Sequence, residues 1–420
     1  MAKKPKLALI PSGYKVNKVY SVLPSDGVGD FNFSRSGSAT RINKDGLIET
    51  VASNVPRLNY PLIDGVVSGC PSLLLEPQRT NLLTYSEGFV TDWNNTNITI
   101  ISNSIISPDG NLNGTKFIPN TTSGQHFLDR NGITVNSNAT ASIFAKKGEY
   151  KRFSIRSYFT GANAIFDVNE GIIVSESSVT AKIEDYGNGW YRCSLNETLN
   201  TNYGYGIFVM EDDSNNTSDT YSGNGIDGMY FYGASLEIGS FISSYIPTTN
   251  SAVTRSAETA NGAGDASTFN DSEGVLMAEI SLGSIPTTLK TITLSDGTTS
   301  NQIDIRFYPA DWNIFIKDAF YLVSYDLLDI TASNKLALYY NNGNTKVYIN
   351  GILLDSKTYN GSFVGLNKLN LSWSNALAPF YGNTKQLQYF DTALTDSELE
   401  QLTSWVSFQE MAEGQLYSIK

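Results

Sequence analysis

Ala141-Ser142-Ile143-Phe144-Ala145, followed by Lys147-Gly148 and then Phe153-Ser154-Ile155-Arg156-Ser157-Tyr158, is the stretch that decides the fold. Runs of strand-forming residues stand on either side of a lysine–glycine turn, which spells strand, reversal and strand. The pattern recurs at residues 190–195, 206–210 and 228–238, with Gly187-Asn188-Gly189 and Asn224-Gly225 as further turn signals. Regular short strands with such turns predict an antiparallel sandwich or jelly roll across residues 81–250.

Outward from there the texture changes twice. Residues 251–264 are small and polar, among them Ser256, Ala257, Thr259, Ala260, Asn261, Gly262, Ala263 and Gly264, and read as a linker. Strands resume at about 274, where residues 336–340 and 346–350 flank Asn341-Asn342-Gly343-Asn344, a strong hairpin signal. Thr395 and Glu398 make a capping box, and Leu399, Leu402, Trp405 and Val406 give one apolar face, so a short helix closes a second sandwich over 265–410. Residues 411–420 are left as a tail. On the other side, residues 1–80 contain a hairpin, 39–43 and 47–51 about Lys44-Asp45-Gly46, and are then punctuated by Pro56, Pro61, Pro71 and Pro77. They predict an extended anchor that packs on another subunit or another protein. The fold class is all-β: an extended N-terminal region followed by two antiparallel β-sandwiches. No repeat of fixed period and no heptad run accompanies them.

Composition fits that reading. The 420 residues suggest roughly two to three domains, and 17% charged with 12% aromatic residues excludes a disordered chain. A net charge of −12 repels polyphosphate, so nucleic acid is not an expected partner. No apolar run approaches the roughly 18 residues of a membrane span, so no membrane insertion is expected. Lys3, Lys4 and Lys6 precede Leu7-Ala8-Leu9-Ile10, but Pro11 ends the run short of a secretory core, which suggests retention in a cytoplasm until release. Cys70 and Cys193 read as buried free thiols, ahead of one disulfide.

Chemistry is sparse. His126, the single histidine, sits in a polar stretch without a nucleophile elbow and reads as structural. The acids Asp304, Asp311 and Asp318, or Glu211, Asp212 and Asp213, form no evident catalytic pair, so an enzyme is not expected. Glu211, Asp212, Asp213 and Asp219 read first as a solvated acidic loop, with a structural Ca²⁺ as the alternative; no other cofactor is implied. Sugars are gripped by aromatic faces and amide side chains. Trp312, Tyr340, Trp373 and Tyr381, with Asn342 and Asn375, are the candidates for that work.

A longer pattern is familiar. It starts at Phe33-Ser34-Arg35-Ser36-Gly37-Ser38-Ala39-Thr40-Arg41-Ile42-Asn43-Lys44-Asp45-Gly46-Leu47-Ile48 and continues in Asn54-Val55-Pro56-Arg57. Ser72-Leu73-Leu74-Leu75-Glu76-Pro77-Gln78-Arg79-Thr80-Asn81-Leu82-Leu83 and Tyr85-Ser86-Glu87 follow. Together these resemble the N-terminal region of tailed-bacteriophage fibre and spike proteins, head fibres included. Gly187-Asn188-Gly189-Trp190-Tyr191-Arg192 and Ser244-Tyr245-Ile246-Pro247-Thr248 fit the same proteins, where this part looks like a carbohydrate-binding-module jelly roll. Lys346-Val347-Tyr348-Ile349-Asn350-Gly351 and the block 390–399 are similar to concanavalin A-like (laminin G-like) sandwiches.

The resemblance implies a virion appendage, a head fibre before a tail fibre. It implies a homotrimer bound to capsid or tail proteins through the region carrying Arg35, Arg41, Arg57 and Arg79, displaying its sandwiches toward host-surface glycans. Without repeats or coiled coil it would be short and knob-like. A bacterial surface lectin or adhesin and a capsule depolymerase are the alternatives, beside a purely structural decoration.

Overall fold

The structure, a computed structural model, describes residues 3–135, 137–157, 160–198, 201–324, 328–373 and 377–405. The described residues are dominated by strands in antiparallel sheets, with one helix, Asp396–Thr403. Two β-sandwiches account for most of them.

In the first sandwich one six-stranded sheet runs Asn94–Thr96, His126–Val135, Thr201–Met210, Arg152–Ser157, Asn163–Asp167, Ile172–Ser177. The facing six-stranded sheet runs Ile98–Ile106, Leu112–Pro119, Met229–Ile238, Asn138–Lys146, Trp190–Thr198, Thr180–Asp185. Phe117, Ile143, Phe153, Phe166 and Phe231 fill the space between them. The strand Asn138–Lys146 is buried on both faces, so it reads as a nearly continuous apolar run. Ile143 enters the core, while Phe144 turns outward to Trp190, Tyr232 and Tyr245, where Ile48 of the N-terminal hairpin covers it.

The second sandwich sets an eight-stranded sheet against a five-stranded one. The smaller runs Ala319–Ser324, Asp311–Ile316, Gln302–Phe307, Lys290–Ser295, Lys368–Asn370. The larger runs Ile352–Thr358, Asn344–Ile349, Asn334–Asn341, Glu273–Ser281, Gly382–Phe390, Ser72–Leu75, Arg57–Asn59. Leu7–Leu9 shares an edge of Gly382–Phe390 with Ser72–Leu75: Leu7 lies opposite Tyr389 and Leu73 opposite Thr384.

The first 80 residues are therefore not an anchor held apart from the sandwiches. They supply three strands to the larger sheet, and Leu7, Leu9, Phe31, Phe33, Leu73 and Leu75 to the second core. The physical reason is that each short Pro-bounded strand buries only its own few side chains, so it is stable only as an addition to a larger sheet. Residues 251–264 are likewise not a free linker. Val253–Arg255 pairs with Arg79–Asn81, and Thr259–Asn261 pairs with Phe31–Ser34. Their small side chains allow close packing, and Ala260 and Ala263 are fully buried in the second core.

Local signals fare better. Ala39–Ile42 and Ile48–Val51 form the expected hairpin. Asn334–Asn341 and Asn344–Ile349 are joined by Asn342 and Gly343 at φ of 44° and 87°, the positive pair a type I′ turn requires. Thr395 and Glu398 close the capping box, and Leu399 packs on Val275, Ala337, Tyr348 and Phe390, across the sheet from the main core. Trp405 lies beneath Lys335, whose Nζ is 4.2 Å from the ring centroid; Val406 and the tail 411–420 lie outside the described residues. Both thiols are free and Cys193 is buried as expected, but Cys70 is exposed, in the loop just before the strand Ser72–Leu75. Among the described residues no helix is long and apolar enough to cross a membrane.

A chain beginning at Asn81 lacks three strands of the larger sheet, so it is expected to lose the cooperative melting of the second sandwich in calorimetry; full retention would refute this integration. Trp312 is buried and stacked on Phe307 at 5.1 Å, so Trp312→Ala is expected to cost about 3–5 kcal/mol in denaturant unfolding.

Candidate functional site

Of the four arginines expected at an attachment surface, Arg35 and Arg57 are buried and Arg41 and Arg79 are partly exposed. Arg57, at the start of Arg57–Asn59, is fully buried between two carboxylates: Nε donates to Glu258 at 2.8 Å and Nη1 to Glu76 at 2.7 Å, while Nη2 bonds Glu258 as well. Arg35 is buried too, with Nη1 at 2.8 Å from Glu258. Arg255 joins from the other side, its Nη1 2.9 Å from Glu76 and its Nη2 donating to the Pro77 carbonyl. Ser244 donates its N–H and hydroxyl to Glu76 at 2.8 and 2.6 Å. Arg41 is half-buried, donating to Glu49 at 2.8 Å and to the Tyr14 hydroxyl. Arg79 lies 5.0 Å from the Phe241 ring centroid.

These charges form a seam where the first 80 residues and the 237–258 segment meet. Burial alone would raise the Glu76 carboxyl, but Arg255, Arg57 and Ser244 hold it far below the usual carboxylate range. Burial opposes the charge of Arg57, and Glu258 and Glu76 more than restore it, raising its pKa. Asn81 completes the junction by donating to the Ala234 and Ile246 carbonyls and accepting from Leu236 and Leu83. Glu87 accepts from the Tyr232 and Tyr245 hydroxyls, each at 3.0 Å. At the outer end, Gly187 meets Gly65 backbone to backbone: a Cβ on Gly187 would stand 2.4 Å from the Gly65 carbonyl oxygen, and φ of +78° favours glycine there as well.

A two-lobed cleft opens beside this seam. One lobe, about 290 Å³, lies between the N-terminal hairpin and the first sandwich and includes Arg41, Asn59, Lys182, Glu184 and Asn196. The other, about 400 Å³, reaches the second sandwich and includes Phe241, Tyr381, Asn383, Lys385 and Cys70. Asn59, Lys182, Glu184 and Phe241 line both, and Glu76 of the seam is in the wall of each. Asn59 Oδ1 accepts from the Ile42 N–H and Asn383 Oδ1 from the Ser72 hydroxyl, and among the described residues neither amide nitrogen donates to a protein group. Burial raises the Tyr381 phenol above its ordinary value.

Of the glycan candidates among the described residues, Tyr381 alone lines this cleft. Trp312 and Tyr340 are corrections: both are core residues, and Tyr340 is held by the Tyr389 hydroxyl at 2.7 Å. Alternation along the strand turns them inward while their neighbours Asn313 and Tyr339 face the other side. Trp373 is partly buried, its Nε1 donating to Gln302 at 3.1 Å and its ring 5.2 Å from the Arg306 guanidinium. Asn342 is exposed at its hairpin tip, and Asn375 lies outside the described residues. The five described candidates therefore form no common site. Asn383, near Tyr381 in the sequence reading of sugar-binding residues, does line the cleft, whereas Phe241 and Asn59 were not singled out, because the cleft is assembled from segments far apart in the chain.

The four acids weighed for Ca²⁺ do not gather into a carboxylate cluster. Among the described residues no three His, Cys, Asp or Glu side chains converge to hold a metal. Glu211 and Asp213 are exposed, Asp212 accepts from the Lys151 N–H at 2.9 Å, and Asp219 accepts from the Ser214 hydroxyl. The Asp212 and Asp219 carboxylates thus help to hold the loop in place. His126 is buried between the Asn97 and Tyr221 carbonyls, at 2.8 and 3.0 Å from its ring nitrogens.

No protein-family model matches the chain, and no curated protein matches it. Among solved structures, the carbohydrate-binding module (CBM40) of the Ruminococcus gnavus IT-sialidase bound to α2,3-sialyllactose is 17% identical, with 34% of this chain and 88% of that one covered at a TM-score of 0.28. Domain 4 of a GH43 extracellular arabinanase from Geobacillus stearothermophilus, in complex with arabinotriose, is 19% identical over 35% and 73% at 0.29. A mutant of Trypanosoma rangeli sialidase displaying trans-sialidase activity is 10% identical over 73% and 61% at 0.30. At these scores none of them assigns a ligand to this chain.

Glu76 fixes a pH dependence. Its native pKa is depressed below the ordinary 4.5, so its stabilisation is complete above that value and is lost as the pH falls through and below it. Urea midpoints are expected to fall in that window. Glu76→Gln is expected to cost about 3–5 kcal/mol near neutrality, by leaving Arg57 and Arg255 short of a partner, and to flatten the acid limb.

Proposed function

We propose that this chain is a glycan-binding protein, and that the cleft between its sandwiches is where the sugar sits. The observation that carries the reading is the joining of two aromatic side chains, Phe241 and Tyr381, with the uncommitted amide donors of Asn59 and Asn383 in one cleft. An aromatic face suits the C–H surface of a pyranose, and amides with charged side chains suit its hydroxyls. Clefts at the junction of packed units are a usual place for small ligands.

The setting we propose is a virion appendage of a tailed bacteriophage, a head fibre before a tail fibre, working as a binder and not as an enzyme. Its support is the run of N-terminal blocks named above. Arg35 and Arg57 are buried, so attachment to a particle would use other surfaces of the first 80 residues. Many weakly binding copies on one particle would adhere through effective concentration.

The test is binding of the full chain to an array of bacterial surface polysaccharides. Tyr381→Ala and Phe241→Ala are expected to weaken binding at least about tenfold with little change in melting temperature. The exposed Cys70 lines the same lobe and Cys193 is buried, so a bound glycan should also slow maleimide labelling. Binding unchanged in both variants, with labelling unprotected, would refute the cleft. An antibody against the chain separates the settings: label on phage particles supports the appendage, and label confined to the bacterial envelope assigns the same cleft to a surface adhesin.

A further inference from the structure

The second sandwich leaves two strands open side by side: Ile352–Thr358, at the edge of the larger sheet, and Ala319–Ser324, at the edge of the smaller. Every residue of Ile352–Thr358 is exposed, including Ile352 at 70%, Leu353 at 44% and Leu354 at 40%. Lys357 reaches across to the Phe320 carbonyl, and Phe320 and Leu322 add 41% and 55% exposed apolar side chains beside it. An open strand with contiguous exposed apolar residues is a template for another strand.

The direction of its free backbone groups can be read. Thr345 lies opposite Lys357 and Lys346 opposite Ser356, and the Tyr359 N–H is bonded inward to the Gly343 carbonyl. Antiparallel strands alternate, so Ser356 and Thr358 direct their N–H and C=O groups outward. The Ser356 N–H is met only by the neighbouring Asp355 carboxylate, at 2.8 Å.

We propose that this edge pairs with the same edge of a second copy of the chain, antiparallel, about a two-fold axis at Ser356. The occupant is specified by charge. A two-fold axis at Ser356 places residue 355 of each copy opposite residue 357 of the other, and these are Asp355 and Lys357. Within one copy the two are 3.6 Å apart, on the same face of the strand. Pairing makes two opposite-charge cross-strand contacts, exchanges the Ser356 hydrogen bond for a reciprocal pair of backbone bonds, and sets Leu354 opposite Thr358. The inference is independent of the glycan reading, and a two-fold contact differs from the threefold assembly that the sequence resemblance implies.

Sedimentation equilibrium of the full chain tests it. Wild type is expected to dimerise at micromolar concentration. Asp355→Lys or Lys357→Asp puts like charges opposite one another twice, and each is expected to raise the dissociation constant at least about tenfold. The double variant Asp355→Lys/Lys357→Asp restores opposite charges and is expected to return to the wild-type value. Ser356→Pro removes an N–H that no ladder bond uses, and is expected to give a monomer with the wild-type melting temperature. A monomeric wild type, an oligomer of any order indifferent to the single swaps, or a double variant as weak as the singles would overturn the proposal.

Discussion

Glu258 is fully buried with Arg57 and Arg35 beside it, and the rest of the architecture depends on that arrangement. A carboxylate taken out of water without partners is costly, and its cost is relieved only where guanidinium groups reach it with good geometry. Its partners come from about 200 residues earlier in the chain, so the charge is satisfied only when the N-terminal segment has returned to the 237–258 segment. Glu76 and Arg255 extend the same constraint, binding the end of a strand in the second sandwich to the segment that follows the first. A buried network of this kind stabilises less than an apolar seam of the same size would, and discriminates more: displacing one segment leaves an unpaired charge. The cleft inherits its wall from this seam, so its shape is set by rigid, fully bonded groups.

What was legible in the sequence was local. The Asn342-Gly343 turn, the Gly46 hairpin and the Thr395 capping box are each specified within about a turn's length of chain, and all three are present. The N-terminal region was misread for the opposite reason. Its strands are two to four residues long; Leu7–Leu9 and Ser72–Leu75 are held by an edge supplied by residues 382–390, and Phe31–Ser34 by residues 259–261. Small residues at 260 and 263 have the same composition whether they serve mobility or close packing, and only the neighbouring strands distinguish the two.

The candidate site shows the same division. Aromatic and amide residues were chosen by proximity in sequence, yet in a strand adjacent residues face opposite sides, so Trp312 went to the core. Tyr381 reached the cleft because its segment lies beside the Ser72–Leu75 strand. Its companions Phe241 and Asn59 arrive from other parts of the chain. A reading by sequence neighbourhood could have found the type of chemistry but not the set of residues.

The shared edge of Gly382–Phe390 has a consequence for biosynthesis. Leu7–Leu9 cannot pair until residues 387–389 have been made, which at about 5–20 residues per second leaves the first strand waiting on the order of twenty to seventy seconds on the ribosome. During that interval Leu7-Ala8-Leu9-Ile10 is an unpaired apolar run on a nascent chain. Lys3, Lys4 and Lys6 on one side and Pro11 on the other are the residue types that discourage such a run from adding to a stranger's sheet. Residues 7–10 are thus flanked by residues that keep them from foreign edges until their partner strand exists.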